Sequence, residues 1–332
     1  MRVLTGLQPS GDLHIGNYFG AIKQMVDAQE KSQMFMFIAN YHAMTSSQDG
    51  EKLKQNSLKA AAAFLSLGID PQKSVFWLQS DVKEVMELYW ILSQFTPMGL
   101  LERAHSYKDK VAKGLSASHG LFSYPVLMAA DILLFDTRIV PVGKDQIQHV
   151  EIARDIALKV NNEWGEIFTL PEARVNEEVA VVVGTDGAKM SKSYQNTIDI
   201  FSSEKTLKKQ ISSIVTDSTA LEDPKDHENC NIFKIAKLFL DESGQKELQI
   251  RYEKGGEGYG HFKIYLNELV NAYFKEAREK YNELLEKPSH LKEILDFGAT
   301  KARKIAQEKM QKIYEKIGLQ GVENARFKKF AK

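Results

Sequence analysis

The chain has 332 residues, a formal net charge of +0, 43% hydrophobic and 27% charged residues, and one cysteine, Cys230. A single cysteine rules out an intrachain disulfide framework, a Cys-rich zinc site and a Cys-ligated iron–sulfur cluster, and a neutral balance announces no nucleic-acid partner. No apolar run is long enough to span a bilayer and no signal peptide precedes the first strand, so the expectation is a cytoplasmic protein with no membrane partner and room for two domains. The charge is uneven, because residues 300–332 carry ten basic and three acidic residues. A solvated helix face explains such a run as well as RNA does.

In chain order, Val3-Leu4-Thr5 reads as a strand ended by Gly6 and Pro9-Ser10-Gly11. His14-Ile15-Gly16-Asn17 follows, and an amphipathic helix begins at Tyr18, with Phe19, Ile22, Met25 and Val26 on one face. Strands are expected over 34–40, 74–79, 138–142 and 179–183. Helices are expected over 51–67, from about 81 to 95, and over 124–135 and 145–161. Residues 103–118 read as a charged connection. Alternating strands and helices predict an α/β fold, a Rossmann-like parallel sheet with ligands at the carboxyl ends of its strands. Beyond Ser193 the pattern becomes helical, over 204–215, 231–240, 261–285 and 289–316. Gly255 to Gly260 is a break between helices, and the tail from Gln320 reads as poorly ordered. The expected division is therefore a catalytic domain over 1–187, with a connective segment at about 96–123, and a mainly α-helical domain over 188–332.

Two stretches carry chemistry. HIGN at 14–17 stands where a strand turns into a helix, which points backbone N–H groups at an anion. His14 adds a donor, Gly16 leaves room for a phosphate or ribose, and Asn17 supplies an amide. A helix cap is the simpler use of His14 and Asn17. KMSKS at 189–193 follows the last expected strand, in a loop with Gly184 and Gly187. Lys189 and Lys192 are compact cations on long stems, suited to following phosphate charge as it moves. Asp131 lies inside the apolar run 127–134, where an unpaired carboxylate would be costly. It must meet a cation, a helix N-terminus or a ligand with a donor. An internal ion pair with Arg138 or Arg154 is the plain alternative.

HIGN and KMSKS in one α/β domain resemble the signatures of the class I aminoacyl-tRNA synthetases, with Asn17 in place of the usual final histidine. Tyr124 to Asp131 (YPVLMAAD) and Gly143 to His149 (GKDQIQH) resemble the tryptophan branch of that class. The tyrosine branch has Gln where this chain has Met128, and Met packs on a large ring without Gln's hydrogen bonds. The resemblance implies adenylate formation from L-tryptophan and ATP, then transfer to tRNA(Trp). It implies catalytic roles for Lys189, Lys192, Lys110 and His14. ATP contacts are implied for Gln8, Pro9, Ser10, Gly16, Asn17, Gly143, Lys144, Asp145, Val182, Lys189, Met190, Ser191, Lys192 and Ser193. The amino-acid site would use Asp131, Tyr124, Met128, Gln146, Leu4, His42, Val140 and Val142. Indole N–H is donor only, so a fixed acceptor at Asp131 suits it. Mg²⁺ is expected to arrive on the ATP phosphates, with no protein metal site. The helical half would bind the anticodon, and a homodimer is implied, with an apolar patch from Phe76-Trp77, Leu88-Tyr89-Trp90 and Leu100-Leu101. The runner-up readings are a tyrosine enzyme or other nucleotidyl transferase, and a silent relative that only binds RNA or amino acid. Retention of both lysines, His14 and Asp131 argues against the silent relative.

Overall fold

β1 (Arg2–Leu7), β2 (Gln33–Ile38), β3 (Val75–Leu78), β4 (Ile139–Pro141) and β5 (Glu172–Arg174) form one sheet in the order β3-β2-β1-β4-β5. Every pairing is parallel, with Val3 opposite both Met34 and Ile139. The computed structural model describes all residues except 10, 105–106, 109–111, 113, 115–117, 176–180 and 320–332. Met34 to Ile38 are all buried, as expected of a central parallel strand covered on both faces. Their side chains alternate between two cores. Met34, Met36 and Ile38 join one, and Phe35 and Phe37 join the other with Trp77.

The helices of the first half are α1 (Ile15–Asn17), α2 (Lys23–Ala28), α3 (Asn40–Ala43), α4 (Gly50–Ser66), α5 (Glu84–Ser93), α6 (Met98–Glu102), α7 (His119–Leu134) and α8 (Ile147–Trp164). A π turn over Tyr18–Ile22 joins α1 to α2. The second half contains α9 (Glu204–Ser212), α10 (Asn231–Ala236), α11 (Glu242–Lys254), α12 (Tyr259–Tyr273), α13 (Lys275–Glu286) and α14 (Pro288–Ile317).

Several expectations need correction. Of the strand expected over 179–183, residues 179–180 lie outside the described residues, and Val183 makes only an isolated antiparallel bridge to Lys189. The last sheet strand is instead β5, whose Glu-Ala-Arg sequence carries no apolar signal. α11 was not foreseen, because only Leu248 and Tyr252 of its thirteen residues are buried. The single helix expected over 261–285 is two, with Phe274 between them. Phe76, Trp77, Leu88 and Leu101 are buried in the chain's own core, so they supply no docking patch, whereas Trp90 is 69% exposed. The tail expected to be poorly ordered from Gln320 lies outside the described residues.

α14 returns to the sheet. Leu291, Leu295, Gly298, Ala302, Ala306, Lys309 and Ile313 are buried at spacings of three and four, one face of a helix. Leu291 and Leu295 pack in the first core, and Ala299, Ala302, Ala306, Met310 and Ile313 in the second. The helix therefore crosses the open edge of the sheet at β3. Gly298 permits the approach, since a Cβ there would lie 1.8 Å from the Phe76 carbonyl oxygen. Arg303 donates to the Asp81 carbonyl at 2.9 Å, and buried Lys309 meets Asp136 at 2.5 Å.

Candidate active site

In this sheet β1 leads to β2 and β3 on one side and β4 and β5 lie on the other. The crevice beyond the ends of β1 and β4 is thus the place where such sheets bind ligands. HIGN follows β1. His14 Nδ1 accepts from the Asn17 backbone N–H at 3.3 Å, and Asn17 Oδ1 accepts from the His14 N–H at 3.1 Å. This is a reciprocal capping box. With Nδ1 an acceptor, the proton of the neutral ring sits on Nε2. Burial, and then the charge of Lys192, push the His14 pKa down to about 4, with Asp199 opposing. Asn17 uses its side-chain oxygen in the same cap. Gly16 fits against the His14 ring, where a Cβ would lie 2.9 Å from Nδ1.

KMSKS begins on the return arm of a hairpin. Met190 N donates to Val182 O at 2.9 Å and Gly184 N to Ala188 O at 2.7 Å. The Val182 carbonyl, at a position with an implied ATP contact, is engaged in that hairpin. Ser191 caps a short 3₁₀ turn over Lys192–Tyr194, accepting from Ser193 N. Buried Asn196 ties the hairpin together. Its oxygen accepts from Ser191 N at 2.7 Å, and its nitrogen donates to Asp186 at 2.7 Å and to the Lys189 carbonyl at 3.2 Å. Gly184 is required by this packing, because a Cβ would lie 2.3 Å from the Asn196 side-chain nitrogen. Asn196 carries no motif or periodic signal in the sequence.

Just past the loop, the chain runs alongside HIGN. Ile15 N donates to Ile198 O at 3.0 Å, and Ile200 N to Leu13 O at 2.9 Å. His14 and Asp199 form an antiparallel bridge. A Cβ on Gly11, whose φ is +65°, would lie 3.5 Å from Lys192 Nζ. Lys192 is exposed as a residue, yet desolvation of its ammonium end lowers its pKa, with Asp12 and Asp199 opposing. HIGN thus shares a backbone ladder with the segment just after KMSKS, far away in sequence. Lys189 is exposed and Met190 buried. Gln8 and Pro9 flank a cleft also lined by Lys52 and Asn56. Ser10 and Lys110 lie outside the described residues.

The second part of the crevice is built on α7. Asp131 is buried, and both its oxygens accept from Gln79 Nε2 at 2.9 Å. His42 Nε2 stands 2.8 Å from Asp131 Oδ2 and donates to it. Burial pushes the Asp131 carboxyl pKa up, and His42 and Gln79 pull the other way. The ion-pair alternative is therefore corrected. Arg154 donates to the Pro171 carbonyl and Arg138 is exposed, so the partners of Asp131 are His42 and Gln79. Gln79 was not anticipated. It follows β3, is 1% exposed, and accepts with Oε1 from the backbone N–H groups of Tyr41 at 3.1 Å and His42 at 3.4 Å.

A second polar trio lies alongside. The Tyr124 hydroxyl is 2.7 Å from His149 Nε2, and His149 Nδ1 is 2.7 Å from Gln146 Oε1. The His42 and Tyr124 rings meet edge to face with centroids 6.2 Å apart, joining the two trios. Leu4 and Val140 are buried in the core beneath, and Met128 and Val142 pack against it half-buried. Gly143, Lys144 and Asp145 form an exposed turn after β4. Asp145 leans over Gly143, where a Cβ would meet its Oδ1 at 2.7 Å. Among the described residues no group of three His, Cys, Asp or Glu is placed to hold a metal ion, and no helix is long and apolar enough to cross a membrane.

The family described as "tRNA synthetases class I (W and Y)" matches residues 1–275. The chain belongs to that family, and its five-stranded sheet with surrounding helices is the family's Rossmann-like catalytic fold. A tryptophan–tRNA ligase of Fusobacterium nucleatum is 53% identical over 321 residues, covering 96% of this chain and 98% of that one. The crystal structure of a tryptophanyl-tRNA synthetase from Campylobacter jejuni superposes with a TM-score of 0.93 at 99% identity, covering 96% and 99% of the two chains. A tyrosyl-tRNA synthetase structure from Archaeoglobus fulgidus shares the fold at 18% identity and a TM-score of 0.61, over 84% and 90% of the chains.

Proposed function

We infer that the chain is an enzyme that attaches L-tryptophan to tRNA with ATP, through a tryptophanyl-adenylate. Carboxylate attack at the α-phosphate is an in-line displacement, so the protein's work is positioning and charge stabilisation. The observation that carries this reading is the ladder joining HIGN to the segment after KMSKS, which brings Lys192 to the turn after β1.

In this reading Lys189 and Lys192 take the charge of departing pyrophosphate, with Lys110 helping, and Mg²⁺ comes as part of the ATP substrate. Gln8, Pro9, Ser10, Gly16, Asn17 and His14 line the phosphate and adenosine side, with Met190, Ser191, Ser193 and Val182. Gly143, Lys144 and Asp145 face the ribose. Neutral His14 offers Nε2–H. Asp131 accepts from the indole N–H, Met128, Leu4, His42, Val140 and Val142 enclose the ring, and Tyr124 and Gln146 hold the ammonium. Residues 1–187 carry the chemistry together with the KMSKS loop at 189–193. The helices of 188–332 up to α13 meet the anticodon of tRNA(Trp), and α14 ties them to the sheet. The protein works in the cytoplasm as a homodimer.

Amino-acid-dependent exchange of labelled pyrophosphate into ATP tests the reaction. Exchange stimulated by tryptophan alone is expected. Stimulation by tyrosine, or by none of the standard amino acids, would reject the reading.

A further inference from the structure

Both ring nitrogens of His149 are committed. Nδ1 faces the Gln146 side-chain oxygen and Nε2 faces the Tyr124 hydroxyl, each at 2.7 Å, in a ring only 1% exposed. An amide oxygen can only accept, so Nδ1 carries the proton of the neutral ring. Nε2 is then an acceptor, and the Tyr124 O–H donates to it. A phenol has one proton, so the Tyr124 oxygen meets every further partner as an acceptor. Gln146 is fixed by the same ring. A carboxylate only accepts, so the nitrogen that lies 3.1 Å from Asp145 Oδ2 is the donor there, which leaves the amide oxygen facing Nδ1. The spacing is helical. Gln146 caps α8 and His149 is its third residue, so one turn presents both.

The geometry points to His149 as a positioning and specificity-determining residue that sets the hydrogen-bond polarity of the ammonium site, making Tyr124 an acceptor and locking the Gln146 amide. An ammonium has donors only, so this polarity favours an amino acid over an analogue with no α-amino group. The inference rests on the reading that Tyr124 and Gln146 hold the tryptophan ammonium.

The test uses the full chain and three variants. His149→Phe keeps a ring and loses both hydrogen bonds. His149→Gln can return an acceptor to Tyr124. Tyr124→Phe checks the underlying reading. Tryptophan KM and kcat are measured by pyrophosphate exchange, and binding of tryptophan and of indole-3-propionate, which has no ammonium, by calorimetry. His149→Phe is expected to raise the tryptophan KM about tenfold, the worth of one hydrogen bond to a charged group. It should move kcat far less, leave indole-3-propionate binding unchanged, and be largely rescued in His149→Gln. Equal weakening of both ligands, or no rescue by Gln, would overturn the proposal and leave His149 a packing residue. Unchanged tryptophan binding in Tyr124→Phe would instead remove the reading beneath it. Should His149→Phe fail to fold, His149→Asn replaces it. Asn reaches only Gln146, so it should bind tryptophan more weakly than His149→Gln, and equal affinities would reject the idea.

Discussion

In the proposed reading Asp131 must remain an acceptor to serve an indole, and its neighbours are arranged to keep it one. Gln79 and His42 both donate to it. Asp131→Ala removes the acceptor and strands two buried donors. A hydrogen bond to a charged group is worth about 1.5–3 kcal/mol, so tryptophan affinity is expected to fall roughly ten- to a hundredfold. Asp131→Asn is not a mild substitute, since one oxygen becomes an NH₂ that faces donors already in place. Calorimetry with tryptophan and with an analogue bearing sulfur instead of the indole nitrogen separates the roles. The sulfur analogue should distinguish little between wild type and Asp131→Ala, and an equal loss of both ligands would make Asp131 a structural residue. His14 gives a pH signature. Its folded pKa, about 4, lies below the ordinary histidine value of 6.5, so the unfolded chain takes up this proton first as pH falls. Its contribution to stability is therefore full above about pH 6.5, declines down to about pH 4 and is constant below that. Urea midpoints at pH 7 and pH 5 should differ less in His14→Gln than in wild type, and an equal difference would reject the shift.

The loop from Val182 to Asn196 behaves as an element although it has almost no regular structure. Asn196 fastens it from within, and the ladder at 198–200 fastens it to HIGN. Lys192→Ala should slow adenylate formation by about 10²–10³, the usual cost of one donor to developing charge, and leave tryptophan affinity nearly intact. A matching fall in affinity, measured by calorimetry beside single-turnover kinetics, would contradict that assignment. Asn196→Ala leaves the Ser191 N–H without its acceptor and Asp186 with only the Ala188 N–H, so kcat and the melting temperature should both fall, because a buried hydrogen-bond hub is lost. Strands β1 to β4 were legible because buried parallel strands read as short apolar runs. β5 and α11 were not, since an edge strand of three polar and small residues and a mostly exposed helix carry no period. HIGN and KMSKS were legible as signatures. Gln79 and Asn196 were not, and His149 was legible only as the end of the GKDQIQH stretch, because a buried side chain that serves another side chain looks in sequence like any polar residue.

At the scale of the molecule, one helix closes the architecture. Gly298→Val would force a side chain into the backbone of β3. Overpacking of this kind costs about 1–3 kcal/mol, so a lowered urea midpoint is expected. An unchanged midpoint would mean that α14 can lift from the edge freely. Assembly is a separate matter. Met86 and Trp90, one turn apart on α5, are 40% and 69% exposed. They are the exposed large apolar residues of that helix, and the proposed homodimer would bury them. Light scattering at micromolar concentration should give twice the chain mass for wild type and a smaller value for Trp90→Glu. A wild-type monomer would reject the homodimer.

The closing of the β3 edge by α14 has a consequence for biosynthesis. An uncovered parallel edge is a template for pairing with other chains. On a ribosome, β3 emerges early, and the helix that shields it is completed only at Ile317. About 240 residues separate the two, so at roughly 5–20 residues per second the edge stays open for some 10–50 s of synthesis. Nascent chains arrested before residue 288 should therefore depend on chaperones, and the released 332-residue chain should not.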